Sequence, residues 1–386
     1  MIIDVTRLVD RTLQARLPTG VDRVGLEYVR YYGPRSDALV RVAGRWVFLD
    51  GADAQDLFAA LLKPSARFST LVRWLVGKAY CVHWQRPRKG TVLLNTGHSG
   101  LDSAQYQENV RKFDFRVVYF LHDLIPVSHP EYCRAGESSR HARRLTTMLE
   151  SGVGIIVNSQ DTAERLAEYA QNFYPRLPPC VVALLGPAKL SIPKLSRPMA
   201  EPYFVMLGTI EPRKNHLLIL QLWRDLVREF GEQTPKLVVI GQRGWECEQV
   251  VDLLERCPAI HYAVIELPHC TDEELATWLH HAQALLFPAF VEGYGLPLIE
   301  ALSQQCPVIA SDLDVFRELA ADIPEYLNPQ DGLGWRQAVL DFTQGDSPRR
   351  IDQLRRMQSF TVPSWHAHFM RVDHLLKTVQ GDGQGD

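Results

Sequence analysis

Two glutamates flank a glycine-rich turn in the stretch Phe-Val-Glu-Gly-Tyr-Gly-Leu-Pro-Leu-Ile-Glu, residues 290–300. Pro297 suits the first turn of a helix, because its missing N–H would have no intrahelical partner there. We therefore expect Glu292 in the loop before a helix and Glu300 near the start of that helix. The glycines would let backbone N–H groups approach a ligand, and a helix N-terminus attracts anions. Alternatively, the acids simply offset the helix dipole, and their spacing leaves both interpretations open.

A second loop with chemical potential follows the apolar run Tyr203–Leu207 and reads Gly-Thr-Ile-Glu-Pro-Arg-Lys-Asn. Backbone donors at Gly208 and Thr209, with the cations of Arg213 and Lys214, could bind a diphosphate together. An isolated Arg-Lys pair in a loop is more often merely solvated. The two glutamates in the same half of the chain make ligand binding the better interpretation.

Short apolar runs alternate with amphipathic stretches, which predicts parallel sheets wound on both faces by helices, an α/β fold. Besides a first strand in the N-terminal Met-Ile-Ile-Asp, strands are predicted at 116–121, 154–158, 203–207, 236–240, 284–287 and 307–310. Helices are predicted near 137–151, 160–170, 215–230, 245–256, 272–282 and 297–305. A chain of 386 residues exceeds one ordinary core, and the proline-rich stretch 186–198 suggests a linker between two doubly wound domains.

The composition indicates a globular protein of a reducing compartment. Seven scattered cysteines without a C-x-x-C spacing argue against a disulfide framework or a zinc site. No apolar run approaches the roughly 20 residues of a membrane span, and the N-terminus lacks the pattern of a signal peptide. Up to residue 195 the chain has 26 Lys and Arg against 18 Asp and Glu, although its net charge is −3. The basic half should attract an anionic partner, and without a nucleic-acid-binding module a membrane or a pyrophosphate lipid is expected.

The segment 63–89 is basic and contains no acid. As a helix, residues 66–79 would gather their apolar side chains on one face, with Arg67, Arg73 and Lys78 on the remaining surface. This pattern suits a helix lying in an anionic membrane interface, with Trp74 and Trp84 as anchors. The alternative is an ordinary helix packed against its own sheet. The missing acids favour the membrane.

Several other signals are better explained without chemistry. Asp312-Leu-Asp314 has the Asp-x-Asp form of some metal sites, but it precedes a predicted helix, so we expect helix capping and no catalytic metal. The histidines His280, His281, His366 and His368 have no carboxylate or cysteine at ligand spacing and are predicted to be surface or packing residues.

The motifs together resemble the nucleotide-sugar half of retaining glycosyltransferases of family four. The resemblance rests on the two loops above and on Val-Ile-Gly-Gln-Arg-Gly-Trp at 239–245, and it matches in order and spacing from about 200 to 345. The N-terminal half is similar only at Pro18–Arg23, His122-Asp123 and Asn158-Ser159. The resemblance implies the GT-B fold, in which two Rossmann-like domains face a central cleft and a C-terminal helix crosses back to the first domain.

The resemblance also implies roles for particular residues. Arg213 and Lys214 would stabilise the charge on the departing diphosphate, Glu292 would bind sugar hydroxyls, and His122 would contact the donor sugar. Asp123 would orient the donor sugar or the acceptor, and Glu300 would bind the ribose. The remaining donor-binding residues are expected to be Gly20, Gly208, Thr209, Gly241, Gly293, Tyr294, Gly295 and Leu296. In the family's mechanism the leaving phosphate takes the acceptor proton, so neither a metal nor a protein nucleophile is needed.

We therefore expect an acceptor-binding domain at 1–195, a nucleotide-sugar domain at 196–362, a crossing helix at 363–380 and a disordered tail at 381–386. The expected reaction transfers a hexose, best mannose from GDP-mannose in an α linkage, to a lipid-linked bacterial glycan. The protein would act in the cytoplasm, peripherally on the inner face of the membrane. Alternatives are another donor such as UDP-glucose, a nucleotide-sugar epimerase, or a non-catalytic partner subunit, against which the retained charged residues argue.

Overall fold

The computed structural model describes residues 1–81, 87–171, 173–188, 190, 192–194 and 196–381. Trp84 of the basic segment and residues 382–386 of the predicted tail lie outside the described residues. The strands are β1 Ile2–Asp4, β2 Asp37–Val42, β3 Arg45–Leu49, β4 Val92–Asn95, β5 Arg116–Leu121, β6 Gly152–Val157, β7 Cys180–Val182, β8 Tyr203–Leu207, β9 Lys236–Ile240, β10 Val264–Leu267, β11 Leu285–Phe287, β12 Val308–Ser311 and β13 Glu325–Leu327.

The helices follow the strands in near-regular alternation. They are α1 Thr6–Leu13, α2 Gly20–Tyr32, α3 Gly51–Leu62, α4 Phe68–Cys81, α5 Ala104–Phe113, α6 Ile125–Ser128, α7 Glu137–Ser151, α8 Gln160–Ala170, α9 His216–Phe230, α10 Glu248–Arg256, α11 Asp272–His281, α12 Leu296–Ser303, α13 Asp314–Ala320, α14 Gly332–Thr343, α15 Pro348–Met357 and α16 Trp365–Gly381.

The chain divides into two compact units. Unit 1 contains Met1–Val127, Gly136–Leu185 and the residues from Trp365 onward, and unit 2 contains Ser128–Ala135 and Gly186–Ser364. The sequence placed the first boundary later, after residue 195, and did not anticipate that Ser128–Ala135 groups with unit 2. It placed the returning helix at 363–380, and α16 begins at Trp365 and belongs to unit 1.

Unit 1 is built on a seven-stranded sheet in the order β3-β2-β1-β4-β5-β6-β7. All neighbours are parallel except β2 and β3, which form an antiparallel hairpin. Strand order reverses between β1 and β4, so the loops that leave these strands diverge to opposite sides. In open α/β sheets, ligands bind at such a switch point, beyond the carboxyl ends of the strands.

Unit 2 has a fully parallel six-stranded sheet in the order β10-β9-β8-β11-β12-β13. Counted from β8, this is the 3-2-1-4-5-6 order of the Rossmann fold. Its central strands β8, β11 and β12 are largely apolar and buried because helices cover both faces of the sheet. One such layer packs Phe204, Met206 and Leu237 of the sheet against Trp223 of α9 and Trp335 of α14. The predicted α/β fold with two Rossmann-like domains is confirmed.

Helix α16 completes unit 1 through an aromatic cluster. The ring of Phe369 stacks on Tyr31 at a centroid distance of 4.0 Å. Tyr28 Oη lies 2.9 Å from Nε2 of His368, whose Nδ1 lies 3.0 Å from the carbonyl oxygen of Ala183. The carbonyl can only accept, so Nδ1 carries the proton and Nε2 accepts from the tyrosine hydroxyl. His368 is therefore a packing residue in the described structure.

Helix α4 of the basic segment packs against its own unit. Phe68, Val72 and Leu75 are buried, and the helix lies against β3, α3 and α1. The apolar face proposed for a membrane is thus part of the core. The remaining surface keeps Arg67 and Arg73 exposed.

Two further features of α4 bear on the membrane prediction. Trp74 is 55% exposed, and Lys78 Nζ lies 2.8 Å from the Asp53 carboxylate. The charge of Lys78 is therefore largely neutralised by an ion pair within unit 1. The indole of Trp74, in contrast, faces outward. None of the described helices combines the length and hydropathy that crossing a bilayer requires.

The Asp312-Leu-Asp314 prediction needs correction. Leu313 occupies the N-cap of α13 and makes no side-chain cap hydrogen bond. Asp312 instead forms a two-pronged ion pair with Arg317, with N–O distances of 2.6 and 2.9 Å. The two-pronged, charge-assisted hydrogen bonds from Arg317 are stronger than a hydrogen bond from a backbone N–H at the helix N-terminus would be.

Candidate active site

The two loops singled out in the sequence leave neighbouring strands of unit 2. Strand β8 ends at Leu207 and β11 at Phe287, and these strands pair in parallel at the reversal of strand order. The loops at 208–215 and 288–295 therefore start side by side at the switch point. The backbone N–H of Phe290 donates to the Arg213 carbonyl at 2.8 Å, which ties the loops together.

The carboxylate of Glu292 lies between the two cations of the other loop. Its Oε1 contacts Nζ of Lys214, and its Oε2 lies 2.8 Å from Nη1 of Arg213. Arg213 also pairs with Glu211 at 2.6 Å and donates to the Val291 carbonyl at 3.2 Å. These contacts fix the positions of both cations before any ligand arrives, which is the preorganisation that electrostatic catalysis requires.

Burial sets the electrostatics of this cluster. The side chains of Lys214 and Glu292 are 9% and 7% exposed. Burial alone would raise the pKa of Glu292, but Arg213 and Lys214 outweigh it and hold that pKa below its usual value. At Glu211 burial dominates and raises the pKa, and at Lys214 burial lowers the pKa despite Glu292. Glu292 is thus the anion that holds this pair of cations.

Glycines make room for the cluster. Gly208 has φ 135°, and a Cβ added there would lie 3.5 Å from Cε of Lys214. Gly241, with φ 154°, lies so close to Gly208 that an added Cβ would overlap the Gly208 carbonyl oxygen. The backbones of the loops after β8 and β9 can therefore approach each other only because Gly241 lacks a side chain, and Gly208 has a φ that other residues rarely adopt.

The second glutamate of the opening stretch lies inside a helix. Helix α12 begins at Leu296, with Gly295 at its N-cap in a left-handed conformation (φ 112°), and Pro297 stands in its first turn as predicted. Glu300 lies one turn further on and is 4% exposed. Tyr294, just before the helix, is also buried.

The remaining predicted residues belong to unit 1. Gly20 is the first residue of α2, and Thr19 and Asp22 form a capping box around it. The glycine does not directly follow the first strand, because α1 intervenes. His122 and Asp123 follow β5, where the Asp123 carboxylate accepts from the N–H of Ile125 at 3.0 Å.

A cavity of about 430 Å³ lies at the switch point of unit 1. His122 and Asp123 line it together with His98 and His141, which the sequence reasoning missed. The ring centroid of His98 lies 5.0 Å from that of His122 and 5.8 Å from that of His141. Burial lowers the pKa of His122 to about 4. The sequence signal available was weak: His98 follows β4 at the carboxyl edge, as His122 follows β5.

The segment Ser128–Ala135 adds two aromatic contacts to unit 2. Tyr132 stacks on Phe290 with a centroid distance of 5.3 Å and an angle of 4° between the rings. The guanidinium of Arg134 lies 5.3 Å from the ring centroid of Trp245. Phe290 precedes Glu292 by two residues, so this segment covers the start of the loop that carries the carboxylate.

Comparison with known proteins agrees with this geometry. Residues 189–323 match the family described as Glycosyl transferases group 1. The serotype-specific mannosyltransferase WbdA of Escherichia coli is 28% identical over 226 residues, covering 54% of this chain and 28% of the relative. The O-antigen chain mannosyltransferase B of E. coli is 32% identical over 163 residues, 42% of each protein. The chain spans less than half the length of these curated relatives.

Solved structures share the fold. HepE of Anabaena in complex with UDP-glucose matches with a TM-score of 0.65 at 13% identity, covering 100% of this chain and 99% of that one. Sucrose-phosphate synthase of Thermosynechococcus elongatus matches with a TM-score of 0.59 at 18% identity, covering 82% and 80%. The chain therefore has the GT-B fold.

Proposed function

We propose that this chain is a retaining glycosyltransferase that moves mannose from GDP-mannose to a lipid-linked glycan. The observation that carries the proposal is the buried Lys214–Glu292–Arg213 cluster at the switch point of unit 2. It combines two fixed cations with a carboxylate where a Rossmann-type sheet binds nucleotides. The mannosyltransferase names of the two curated relatives support the choice of sugar.

In the proposed reaction the bond between the anomeric carbon and the phosphate oxygen breaks, and GDP leaves with the bonding electrons. Lys214 and Arg213 stabilise the charge that grows on the diphosphate. The acceptor hydroxyl attacks the same face of the sugar, and its proton passes to the leaving phosphate oxygen. Glu292 binds sugar hydroxyls with the lone pairs that the two cations leave free, and Glu300 binds the ribose hydroxyls.

Smaller roles in the proposal fall to backbone and neighbouring groups. The backbone at Gly208 and Thr209 and the turn from Gly293 to Leu296 supply N–H donors to the phosphates and the sugar. Gly241 keeps the neighbouring loop close to Gly208. In unit 1, Gly20 at the N-terminus of α2 binds the diphosphate, His122 contacts the donor sugar, and Asp123 orients the donor sugar or the acceptor.

The proposed chemistry uses no metal, because the two cations carry the charge of the leaving group. Activity in the presence of EDTA should therefore equal activity without it. The proposed location is the inner face of the cytoplasmic membrane, with the exposed surface of α4 as the contact. Mannose transfer to a membrane-embedded lipid-linked acceptor requires the enzyme to reach that surface.

The proposal is tested by thermal unfolding in the presence of GDP, GDP-mannose, UDP and UDP-glucose. GDP-mannose should raise the unfolding temperature most, because ligands that bind only the folded state stabilise it. Product analysis then separates transfer from epimerisation: a transferase releases GDP only with an acceptor and makes an α-mannoside. Absence of stabilisation by every nucleotide and nucleotide sugar would contradict the proposal.

A further inference from the structure

The cavity in unit 1 has the size of a small-molecule site and the geometry of one. Its volume of about 430 Å³ lies within the roughly 300–1,000 Å³ of such sites. It is lined by residues of α1, which follows β1, and by the residues that follow β4 and β5. It thus sits at the reversal of strand order, where the sheet leaves room for a ligand.

Three histidines of the cavity are each fixed by one hydrogen bond from Nε2 to a backbone carbonyl. His98 bonds to Phe120 at 2.6 Å, His122 to Thr96 at 2.8 Å and His141 to Asp123 at 3.1 Å. A carbonyl oxygen only accepts, so Nε2 carries the proton in every ring. Burial lowers the pKa of all three, which leaves the rings neutral. Each ring therefore has a lone pair at Nδ1.

Among the described hydrogen bonds, none involves Nδ1 of these three rings. These three Nδ1 atoms are thus acceptors to which no described group donates. The backbone of His98 is in the left-handed region at φ 57°, and the Asn95 side chain holds it there by accepting from the N–H groups of Gly97 and His98 at 3.2 Å. A strained conformation of this kind persists where the surroundings impose it, as they do at binding sites.

Three of the four arginines that line the cavity are already paired with carboxylates. Arg7 and Arg11 both pair with Asp22, at 2.8 and 2.6 Å. Arg144 pairs with Glu137 at 2.7 Å. The charge of these three arginines is thus balanced by carboxylates already in place. The fourth arginine of the lining, Arg16, is exposed, and Asp10 and Asp123 add two carboxylates to the same cavity. An incoming phosphate would therefore meet one exposed cation and two carboxylates, unless it displaced one of the ion pairs. Hydroxyl groups, in contrast, find acceptors that need nothing displaced.

We propose that this cavity binds a neutral sugar through its hydroxyl groups, with His98 and His141 as residues that determine specificity. The hydroxyls donate to Nδ1 of the two rings. The inference rests on the proposed glycosyl transfer, because it makes this sugar the end of the acceptor glycan. It extends that function by naming the class of acceptor: an uncharged sugar terminus rather than a phosphorylated one.

Paired substitutions separate binding from structure. In His98→Gln and His141→Gln, the amide nitrogen reaches the position of Nε2 and keeps the carbonyl bond, but no atom replaces Nδ1. In His98→Asn and His141→Asn, the amide oxygen takes the position of Nδ1, and the carbonyl bond is lost. A binding role predicts that the Gln variants are weaker than the Asn variants, and a purely structural role predicts the reverse order.

The measurement is saturation-transfer NMR on the full chain with excess GDP, using the methyl α-glycosides of mannose, glucose and galactose. Mannose 6-phosphate serves as the charged counterpart. At least one neutral glycoside should show transfer from the wild type. That transfer should weaken about fivefold for each lost hydrogen bond in the Gln variants and largely return in the Asn variants. Far-UV circular dichroism of each variant confirms its fold.

Three results would overturn the inference: no transfer to any neutral glycoside, equal transfer in wild type and both Gln variants, or stronger transfer to the sugar phosphate. These outcomes do not depend on the donor. Stabilisation of the chain by GDP-mannose would still support the glycosyltransferase proposal, so the two failures are distinguishable.

Discussion

Nη1 of Arg213 lies 2.8 Å from Oε2 of Glu292. The same carboxylate also contacts Lys214, the residue after Arg213, although Lys214 and Glu292 are 78 positions apart in the sequence. One anion thus holds two cations at the carboxyl edge of a parallel sheet. The arrangement explains why both loops are needed for a single site. A change in either loop should alter the charge that the other presents.

Replacement of Lys214 by alanine should lower kcat about 100- to 1,000-fold, because the ammonium acts on charge that appears mainly in the transition state. The KM for GDP-mannose should change much less. Steady-state kinetics with purified variants measures both quantities. The matched control is Lys194→Ala, which removes an exposed lysine paired with Glu273 in the same unit and should retain wild-type kinetics. Near-normal turnover in Lys214→Ala would refute the assigned role.

Replacement of Glu292 by glutamine keeps the volume of the side chain but leaves two cations without their shared anion. The free energy of unfolding, measured by urea denaturation, should fall by about 3–5 kcal/mol, as is usual when one partner of a buried pair is lost. Glu273→Gln breaks the exposed pair with Lys194 and should cost less than about 1 kcal/mol. Equal losses in the two variants would mean that the cluster has no special electrostatic strength.

Acidification should destabilise the protein through His368. Burial lowers its pKa to about 4, against 6.5 when the chain is unfolded. Between these values the unfolded state binds the extra proton, so stability is full above pH 6.5 and falls as the pH drops towards 4. The loss from this residue should reach about 3 kcal/mol.

The pH prediction is checked by urea denaturation of three proteins from pH 7 to pH 4. His368→Gln should be less stable than the wild type at pH 7 and should lose less on acidification. His366→Gln, on the exposed side of the same helix, should keep the wild-type pH dependence. An identical slope in wild type and His368→Gln would show that another group governs acid stability.

Binding to anionic vesicles should depend on the exposed surface of α4. Arg67 and Arg73 face outward, and the double substitution to glutamine should reduce co-sedimentation with phosphatidylglycerol vesicles. Trp74→Ala should reduce it further, whereas Lys78→Gln should have a smaller effect because Lys78 is paired with Asp53. Salt should weaken the binding of the wild type.

The control for the vesicle experiment is a pair of arginines elsewhere. Arg228 and Arg256 of unit 2 are 80% and 76% exposed, so their double substitution removes the same charge from another surface. If this control lost as much binding as the α4 variant, the interaction would reflect net charge and not a defined face.

The sequence predicted the buried strands of this fold most accurately. The runs at 116–121, 203–207 and 236–240 agree with β5, β8 and β9 to the residue, because strands covered on both faces are continuously apolar. The hairpin of β2 and β3 was not predicted. It lies at a sheet edge, where polar residues such as Arg41 and Arg45 interrupt the apolar pattern.

Helix α4 shows a second limit of sequence reasoning. The amphipathic pattern correctly predicts a helix with one apolar face. It does not predict that this face packs against the protein's own unit 1, because the missing acids favoured a membrane. A periodic apolar stripe specifies burial and does not distinguish a membrane from the protein's own β3 and α3. The acid needed to neutralise Lys78 came from Asp53, outside the acid-free stretch.

The candidate site was predictable only where its residues belong to compact motifs. Lys214 and Glu292 were found because each stands in a loop after a predicted strand. The ion pair between Lys214 and Glu292 depends on β8 and β11 being neighbours in the sheet, and the order of strands in a sheet cannot be read from the sequence. His98 and His141 are single histidines 43 positions apart. They meet at one cavity because β4 and β5 are neighbours and because His141 of α7 bonds to the Asp123 carbonyl, which follows β5.

The return of α16 to unit 1 has a consequence for synthesis on the ribosome. Tyr28 and His368 are 340 positions apart, so unit 1 lacks one of its packed helices until α16 has been synthesised. Nearly all of unit 2 has emerged by then and can fold as an uninterrupted stretch. The nascent unit 1 therefore lacks the ring of Phe369, which contacts Tyr28, Tyr31 and Tyr32 in the folded chain, until that helix emerges.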